Sequence, residues 1–395
     1  MDFIIVGILQ DWELNVGSNS KSIAIELSKN HRVLYVNKAL DRKTIAQEKD
    51  NPCIQRHLAM VNQKKETLFE VQPNLWSYYP PTILESLNWL PWDGLFLLFC
   101  RMNNRRLAAD IRKAVERIGF KDCIIFNDNE MFRTFYLKEF LNPKLYLYYS
   151  RDNLQGVPYW KKHGASIEPK HIAKADLALA NSKYLTDYCG KYNPNSHYIG
   201  QGCNISVFDA EKSYERPLDL CGIQGPIIGY VGAILSLRID ERILLNIAES
   251  RPDWSMVLVG PEDDDFSKSA LHSLANVHFL GPKPYGELPS YLSHFDVCLN
   301  PQLVNEVTIG NYPLKVDEYL AFGKPTVVTK TAVTEIFEDC IYTAESPGEY
   351  PGLIEKSMKE DDRANQLKRI SMAKSHSWEN VVNLLIKAID KKLAR

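Results

Sequence analysis

The sequence predicts an α/β protein of two parallel-sheet domains, and two observations carry that expectation. Short apolar runs alternate with helix-like segments through both halves of the 395-residue chain, the order that builds parallel sheets. Many of those runs exit into loops of glycine, proline, asparagine or aspartate, as the carboxyl ends of strands do in doubly wound sheets. The best-marked stretch is 296–329. A strand at 296–299 runs into a polar loop, a helix opens at Pro313, Gly323 follows its end, and Pro325 precedes a second strand at 326–329. Proline at the start and glycine just past the end is the asymmetry expected of helix termini. Together the two halves predict Rossmann-like domains facing across a cleft.

Taken in order, residues 3–9 form a first strand, 20–29 a helix and 32–37 a second strand, which is one βαβ unit. Residues 40–100 are polar, then rich in proline and aromatics, and predict variable loops and short helices suited to an acceptor-binding surface. An amphipathic helix covers 103–118, with Leu107, Ile111, Ala114, Val115 and Ile118 on one stripe and Gly119 at its end. Strands at 123–126 and 145–149 exit into Asn127-Asp128-Asn129-Glu130 and Ser150-Arg151-Asp152-Asn153. A strand at 176–180, a helix capped by Asn181 or Ser182, and a strand at 197–200 close a first domain of residues 1–208. A polar linker at about 209–225 leads to a second domain, 226–376, with strands at 226–231, 255–259, 277–280, 296–299 and 326–328. The last helix, from Ser377-Trp378, puts Val381, Leu384, Leu385 and Ala388 on one face.

Composition narrows the class. Hydrophobic content of 45%, charged content of 24% and a net charge of −2 describe a globular protein with no global field for nucleic acid. The eight cysteines show no zinc spacing and suit a reduced, cytoplasmic setting. The N-terminal MDFIIVGIL lacks a basic leader and reads as a buried strand. Residues 87–100, LNWLPWDGLFLLFC, are too short and too interrupted to span a bilayer. Their aromatics suit either core packing or rest on a membrane surface, beside Lys38, Arg42, Lys43, Lys161 and Lys162.

The chemistry converges on the helix after Pro313. Its first-turn amides at Leu314 and Lys315, the Lys315 charge and the helix dipole favour a phosphate. Glu318, one turn later, can reach a sugar diol, so the stretch reads as a nucleotide-sugar site. The run P-L-K-V-D-E-Y-L-A-F-G-K-P-T-V resembles the donor signature of GT-B glycosyltransferases of family 4 (group 1), and the resemblance is strongest over 176–328. It implies a GT-B fold whose C-terminal helix returns to the N-terminal, acceptor-binding domain (1–208 with 377–395), while 226–376 binds the donor.

By the same resemblance Glu318 binds the ribose, and Gly17 and Ser18 stand in the glycine turn facing the donor phosphates. Arg238, beyond Gly232 in its loop, stands where the family has its diphosphate-binding cation. The nucleotide base lies near Gly260. No metal or other cofactor is implied; the nucleoside diphosphate sugar, of UDP or GDP type, is a substrate. The family's second glutamate is replaced by Gly310, with Asn311 beside it and Glu306 upstream. The family's histidine at an N-domain strand exit is also missing. Asp152, then Asp128, are the candidates to bind or deprotonate the acceptor hydroxyl.

The sequence thus implies a metal-independent hexosyltransferase, retaining rather than inverting, of polysaccharide or glycolipid synthesis. Its acceptor is a saccharide or a lipid-linked one, at the inner face of the cell membrane. It leaves open a sugar-nucleotide epimerase or a donor-binding protein without turnover. A nicotinamide enzyme is disfavoured, because neither half carries GxGxxG with a following acid. The acidic run 262–265 reads as a cap for a helix near Ser267, not as a metal motif.

Overall fold

Apolar runs without polar alternation belong in parallel strands covered on both faces, and the computed structural model arranges them so. It describes residues 1–7, 11–14, 18–205 and 207–394. These fall into two units, Met1–Gly200 with Val381–Arg395, and Gln201–Asn380. The last helix, Trp378–Leu393, therefore begins in the second unit and ends in the first.

In the first unit the strands are β1 (Asp2–Gly7), β2 (Arg32–Val36), β3 (Leu68–Gln72), β4 (Leu75–Tyr78), β5 (Ile124–Asp128), β6 (Leu145–Ser150), β7 (Leu177–Ala180) and β8 (Ser196–Tyr198). They lie in the order β3-β4-β2-β1-β5-β6-β7-β8, parallel except for β3 against β4. In the second unit β9 (Ile227–Val231), β10 (Ser255–Val259), β11 (Val277–Gly281), β12 (Val297–Asn300), β13 (Thr326–Thr329) and β14 (Tyr342–Ala344) form an all-parallel sheet ordered β11-β10-β9-β12-β13-β14. Strand order reverses between β1 and β5 and between β9 and β12. Such switch points open a crevice at the carboxyl ends, where doubly wound sheets take ligands.

Strand β10 shows how both faces are filled. Val257 and Val259 pack into one core with Phe295 and Tyr319, while Met256 and Leu258 pack into the other with Ile243 and Ile354. The period of two that defines a strand divides its side chains between two helical layers.

The structure departs from the sequence reading in several places. The helix expected at 103–118 begins ten residues earlier and runs Asp93–Ile118. Its buried stripe extends back through Phe96 and Cys100, and Gly119, at φ 67°, ends it as expected. Segment 40–100 holds a hairpin, β3 and β4, where only loops and short helices were expected. Strand β3 is a short edge strand with Phe69 and Glu70 exposed, so it lacks the alternation that marks a strand. In the last helix Val381, Leu385 and Ala388 are buried as expected, but Leu384 is 42% exposed.

Candidate functional site

In the second unit the carboxyl ends of β9 and β12 open onto a cavity of about 340 Å³, lined among others by Gly232, Arg238, Asn311, Leu314 and Lys315. The sequence chose these five residues from separate loops, and one cavity gathers them. Two amide atoms on its wall, Asn300 Nδ2 and Asn311 Oδ1, are shielded from solvent and have no hydrogen-bond partner among the described residues. Such atoms cost about 1–3 kcal/mol each unless a ligand satisfies them.

Lys315 is half-buried and its ammonium is aimed inward. Nζ donates to Tyr230 Oη and sits 3.9 Å from the centroid of that ring. Tyr230 Oη in turn donates to the Ala233 carbonyl at 3.0 Å. Burial lowers the Lys315 pKa from 10.5 to about 7, opposed by nearby Glu318 and reinforced by the like charge of Arg238. Arg238 is exposed and makes no ion pair among the described residues. A cation kept in a desolvated place without a close carboxylate partner is costly alone. It is well suited to an anion that arrives with a substrate.

Glycine is required where β9 and β10 end. Gly260, at φ 153°, would place a Cβ 1.9 Å from the Gly232 carbonyl oxygen. Gly232, at φ 140°, would place one 2.8 Å from Lys315 Nζ. A side chain at Gly232 would crowd the ammonium, and one at Gly260, which is not itself on the cavity wall, would drive apart the loops that follow β9 and β10.

Glu318 follows one helical turn beyond Lys315 but is not on the cavity wall. It is 8% exposed and accepts a hydrogen bond from Tyr285 Oη at 3.3 Å. Burial raises its pKa to about 7 against the pull of Lys315. The amide of Leu314 is not the free donor the sequence suggested. Pro313, at φ −84° and ψ 77°, makes an inverse γ-turn in which Leu314 N–H donates to the Tyr312 carbonyl at 3.1 Å.

The helix starts at Leu314, one residue later than expected. The loop before it is anchored by a group the sequence did not reveal. Asp317 is fully buried, accepts from Tyr312 Oη at 2.8 Å, and pairs with His376 Nδ1 at 2.7 Å. The two partners of Asp317 are five and 59 residues away in sequence, so no local signal could have linked all three.

The acidic run serves a loop. Asp263 accepts from Ser236 N (2.7 Å), Ser236 Oγ (2.9 Å) and Phe266 N (3.0 Å), and Glu262 pairs with His272. It thereby fixes the approach to Arg238. Among the described residues, no group of three His, Cys, Asp or Glu side chains is clustered to hold a metal ion.

In the first unit, Asp128 ends β5 with its side chain fully buried, and Arg151 bridges it to Asp152. Arg151 Nε donates to Asp128 Oδ1 at 2.8 Å and a terminal nitrogen donates to Asp152 Oδ2 at 3.0 Å. The amides of Arg151 and Asp152 both donate to Asn129 Oδ1. Asp152 keeps 35% of its side chain exposed. Burial raises the Asp128 pKa and Arg151 holds it down. Asp128 therefore orients Arg151, and Asp152 is the carboxylate that an incoming hydroxyl could meet. Ser18 precedes the helix Asn19–Ser28 and its hydroxyl lies 3.0 Å from that of Ser20. Gly17 lies outside the described residues.

Two switch-point sheets, a helix opening over the second, and a last helix that rejoins the first unit define the GT-B fold. Solved structures agree over the whole chain. HepE of Anabaena, determined with UDP, superposes with a TM-score of 0.67 at 12% identity, covering 99% of this chain and 100% of that one. Sucrose-phosphate synthase of Thermosynechococcus elongatus gives 0.66 at 14%, covering 100% and 99%. Residues 225–357 match the family described as Glycosyl transferases group 1. A Bacillus subtilis (strain 168) protein assigned to teichuronic acid biosynthesis as a glycosyltransferase, TuaH, is 27% identical over 233 residues, or 56% of this chain; the match spans 58% of that protein's length.

Proposed function

We propose that the protein transfers a hexosyl group from a nucleoside diphosphate sugar to a hydroxyl acceptor in cell-surface polysaccharide or glycolipid synthesis, with retention and without a metal. The observation that carries this reading is the buried Lys315 ammonium, set against Tyr230 and facing the same cavity as Arg238. As the glycosidic bond breaks, negative charge builds on the leaving diphosphate, and preorganised cations in a desolvated site stabilise it most. Asn311 and Asn300 supply polar contacts, and the glycines let the phosphates approach the backbone. Glu318, displacing Tyr285, accepts from the ribose hydroxyls. Asp152 receives the acceptor hydroxyl, held in place through Arg151 by Asp128. The HepE complexes contain UDP and UDP-glucose, which supports a UDP-type donor. Sucrose-phosphate synthase and TuaH are a synthase and a glycosyltransferase by name, which favours transfer over epimerisation.

The acceptor-binding side is assigned to the first unit. No described helix is long and apolar enough to cross a membrane. Trp89, Trp92 and Leu98 are 74%, 72% and 65% exposed, and Lys162 Nζ donates to the Asn88 carbonyl beside them. Aromatic rings next to cations suit the headgroup zone of an anionic bilayer, which supports peripheral contact and a lipid-linked acceptor.

Calorimetric titration with UDP and GDP tests the donor site. Glu318→Ala is expected to weaken the preferred nucleotide by about tenfold or more, the loss of charge-assisted hydrogen bonds to a diol. Unchanged affinity with an intact fold removes Glu318 from the site.

A further inference from the structure

The helix Leu314–Ala321 carries a carboxylate between Lys315 and Glu318 that is not on the wall of the donor cavity. It is Asp317, whose side chain is closed off from solvent entirely. A carboxylate in such a place takes up a proton unless hydrogen bonds hold its charge. Two side chains hold it. Tyr312 Oη donates to Oδ2 at 2.8 Å, and His376 Nδ1 donates to Oδ1 at 2.7 Å, since an ionised carboxylate only accepts. Burial raises the Asp317 pKa, and first His376, then Tyr312, hold it down.

The two donors stand in different relations to the cavity. Tyr312 lines it, as does Asn311 before it. The Tyr312 carbonyl already holds the Leu314 amide, so the bond from its hydroxyl to Asp317 closes a ring between the cavity loop and the first turns of the helix. His376 is not on the cavity wall. It follows the helix Arg363–Ser375, its Nδ1 also lies 3.1 Å from Tyr312 Oη, and its ring meets Phe337 edge-on at 5.4 Å. Its backbone is fixed on both sides. The N–H donates to the Ala373 carbonyl at 3.0 Å, and the carbonyl accepts from Cys203 N–H at 2.7 Å. Trp378, two residues on, fills the space that a side chain at Gly202 would occupy. The imidazole is thus a fixed post, and Asp317 is the link by which it reaches the cavity loop. Glu318 feels the same group, because the Asp317 charge adds to what raises its pKa.

We infer that His376 is a positioning residue for the nucleotide sugar: through Asp317 it fixes Tyr312 and the start of the helix in the arrangement that takes the diphosphate. The inference rests on the reading of this cavity as the donor site, and it adds a residue outside the cavity on which nucleotide affinity depends. A histidine kept for packing would act through its ring. One kept to hold Asp317 acts through a single N–H.

Calorimetric titration of the full chain with UDP separates the two. His376→Phe keeps an aromatic ring against Phe337 and loses the donor, and it is expected to weaken UDP by at least about tenfold. His376→Asn loses the ring but sets an amide N–H close to the place of Nδ1, and it should stay within about threefold of wild type. In an Asp317→Asn background, His376→Phe should cost less than about twofold more, because the residue acts through that carboxylate. The His376 side chain is 19% exposed, which leaves room for these changes. If His376→Phe does not fold, His376→Ala takes its place with the same expectation.

An asparagine variant as weak as the phenylalanine one shows that the ring matters and overturns the inference. So do a phenylalanine variant as tight as wild type and losses that simply add in the double variant. In each of these outcomes wild type still binds UDP, and the donor reading stands. A wild type that binds neither UDP nor GDP removes the donor reading, and this inference falls with it.

Discussion

Lys315→Met separates stability from function at one atom. The folded chain holds this lysine at a pKa of about 7 against 10.5 in the open. Between those values the folded state binds fewer protons than the unfolded one, so stability rises with pH across the window. The cost of the buried ammonium is therefore complete below about pH 7 and vanishes above about pH 10. At about 1.4 kcal/mol per tenfold change in proton affinity, the ceiling on that cost is roughly 5 kcal/mol.

Two effects reduce what the variant regains. Glu318 loses its neighbouring cation and must take up a proton, and Tyr230 Oη loses a donor, though it keeps its bond to Ala233. Methionine fits over the Tyr230 ring where the lysine stem now lies. The expected gain at pH 7 is about 1–3 kcal/mol, comparable with other replacements of buried charge by apolar groups. In a unit of this size it raises Tm by roughly 2–10 °C. Nucleotide affinity should fall by at least about tenfold.

Scanning calorimetry of wild type and variant at pH 7 and pH 9, with UDP titrations alongside, reads all three quantities. The stability gap should narrow at pH 9. A variant that is less stable, or a gap independent of pH, or retained nucleotide affinity refutes the reasoning.

Gly260→Ala should cost roughly 2–5 kcal/mol from backbone strain and collision with the Gly232 carbonyl; a variant within 0.5 kcal/mol of wild type, on the order of a surface change, would show that the two loops move apart freely. Turnover with a nucleotide sugar should survive EDTA, because Asp263 is committed to Ser236 and Phe266; loss on chelation that Mn²⁺ restores would return the acidic run to the site. Anionic liposomes should sediment the protein at low salt and release it at high salt, and a protein that stays in the supernatant at low salt has no membrane-binding patch.

What could be read in advance follows a physical divide. Elements whose cause is local were legible. Pro313, Gly323 and Pro325 bracket the helix Leu314–Ala321 in sequence, and the structure moves its start by one residue. The parallel strands were legible for the same reason, since a strand buried on both faces must be apolar throughout. Strand β3 was not, because an edge strand is exposed and its residues carry no such mark. The early start of the helix Asp93–Ile118 was hidden by its outer face. Leu98, Phe99 and Met102 are exposed there, so apolar residues surround its first turns and the amphipathic stripe appears only later.

The sites divide in the same way. Lys315 and Glu318 lie on one helix and were found together. Tyr230, Tyr285 and His376, which set the environment of that helix, reach it from distant segments. A tyrosine inside an apolar strand reads as core, and Tyr230 is indeed 2% exposed. What gives it a part in the proposed site is that its hydroxyl ends beside the Lys315 ammonium, and only the packing of β9 against the helix creates that meeting. Arg151 shows the converse. Asp128 and Asp152 were both chosen as acids at strand ends, but a single guanidinium holds both, and only one of the two is open to solvent. Residue type and loop position picked the pair as candidates; burial tells the two apart. Both carboxylates are bonded to the arginine, but Asp128 is sealed from solvent and Asp152 is not, so two equivalent letters in the sequence stand in two different environments, and it is Asp152 that the proposed function sets against the acceptor hydroxyl.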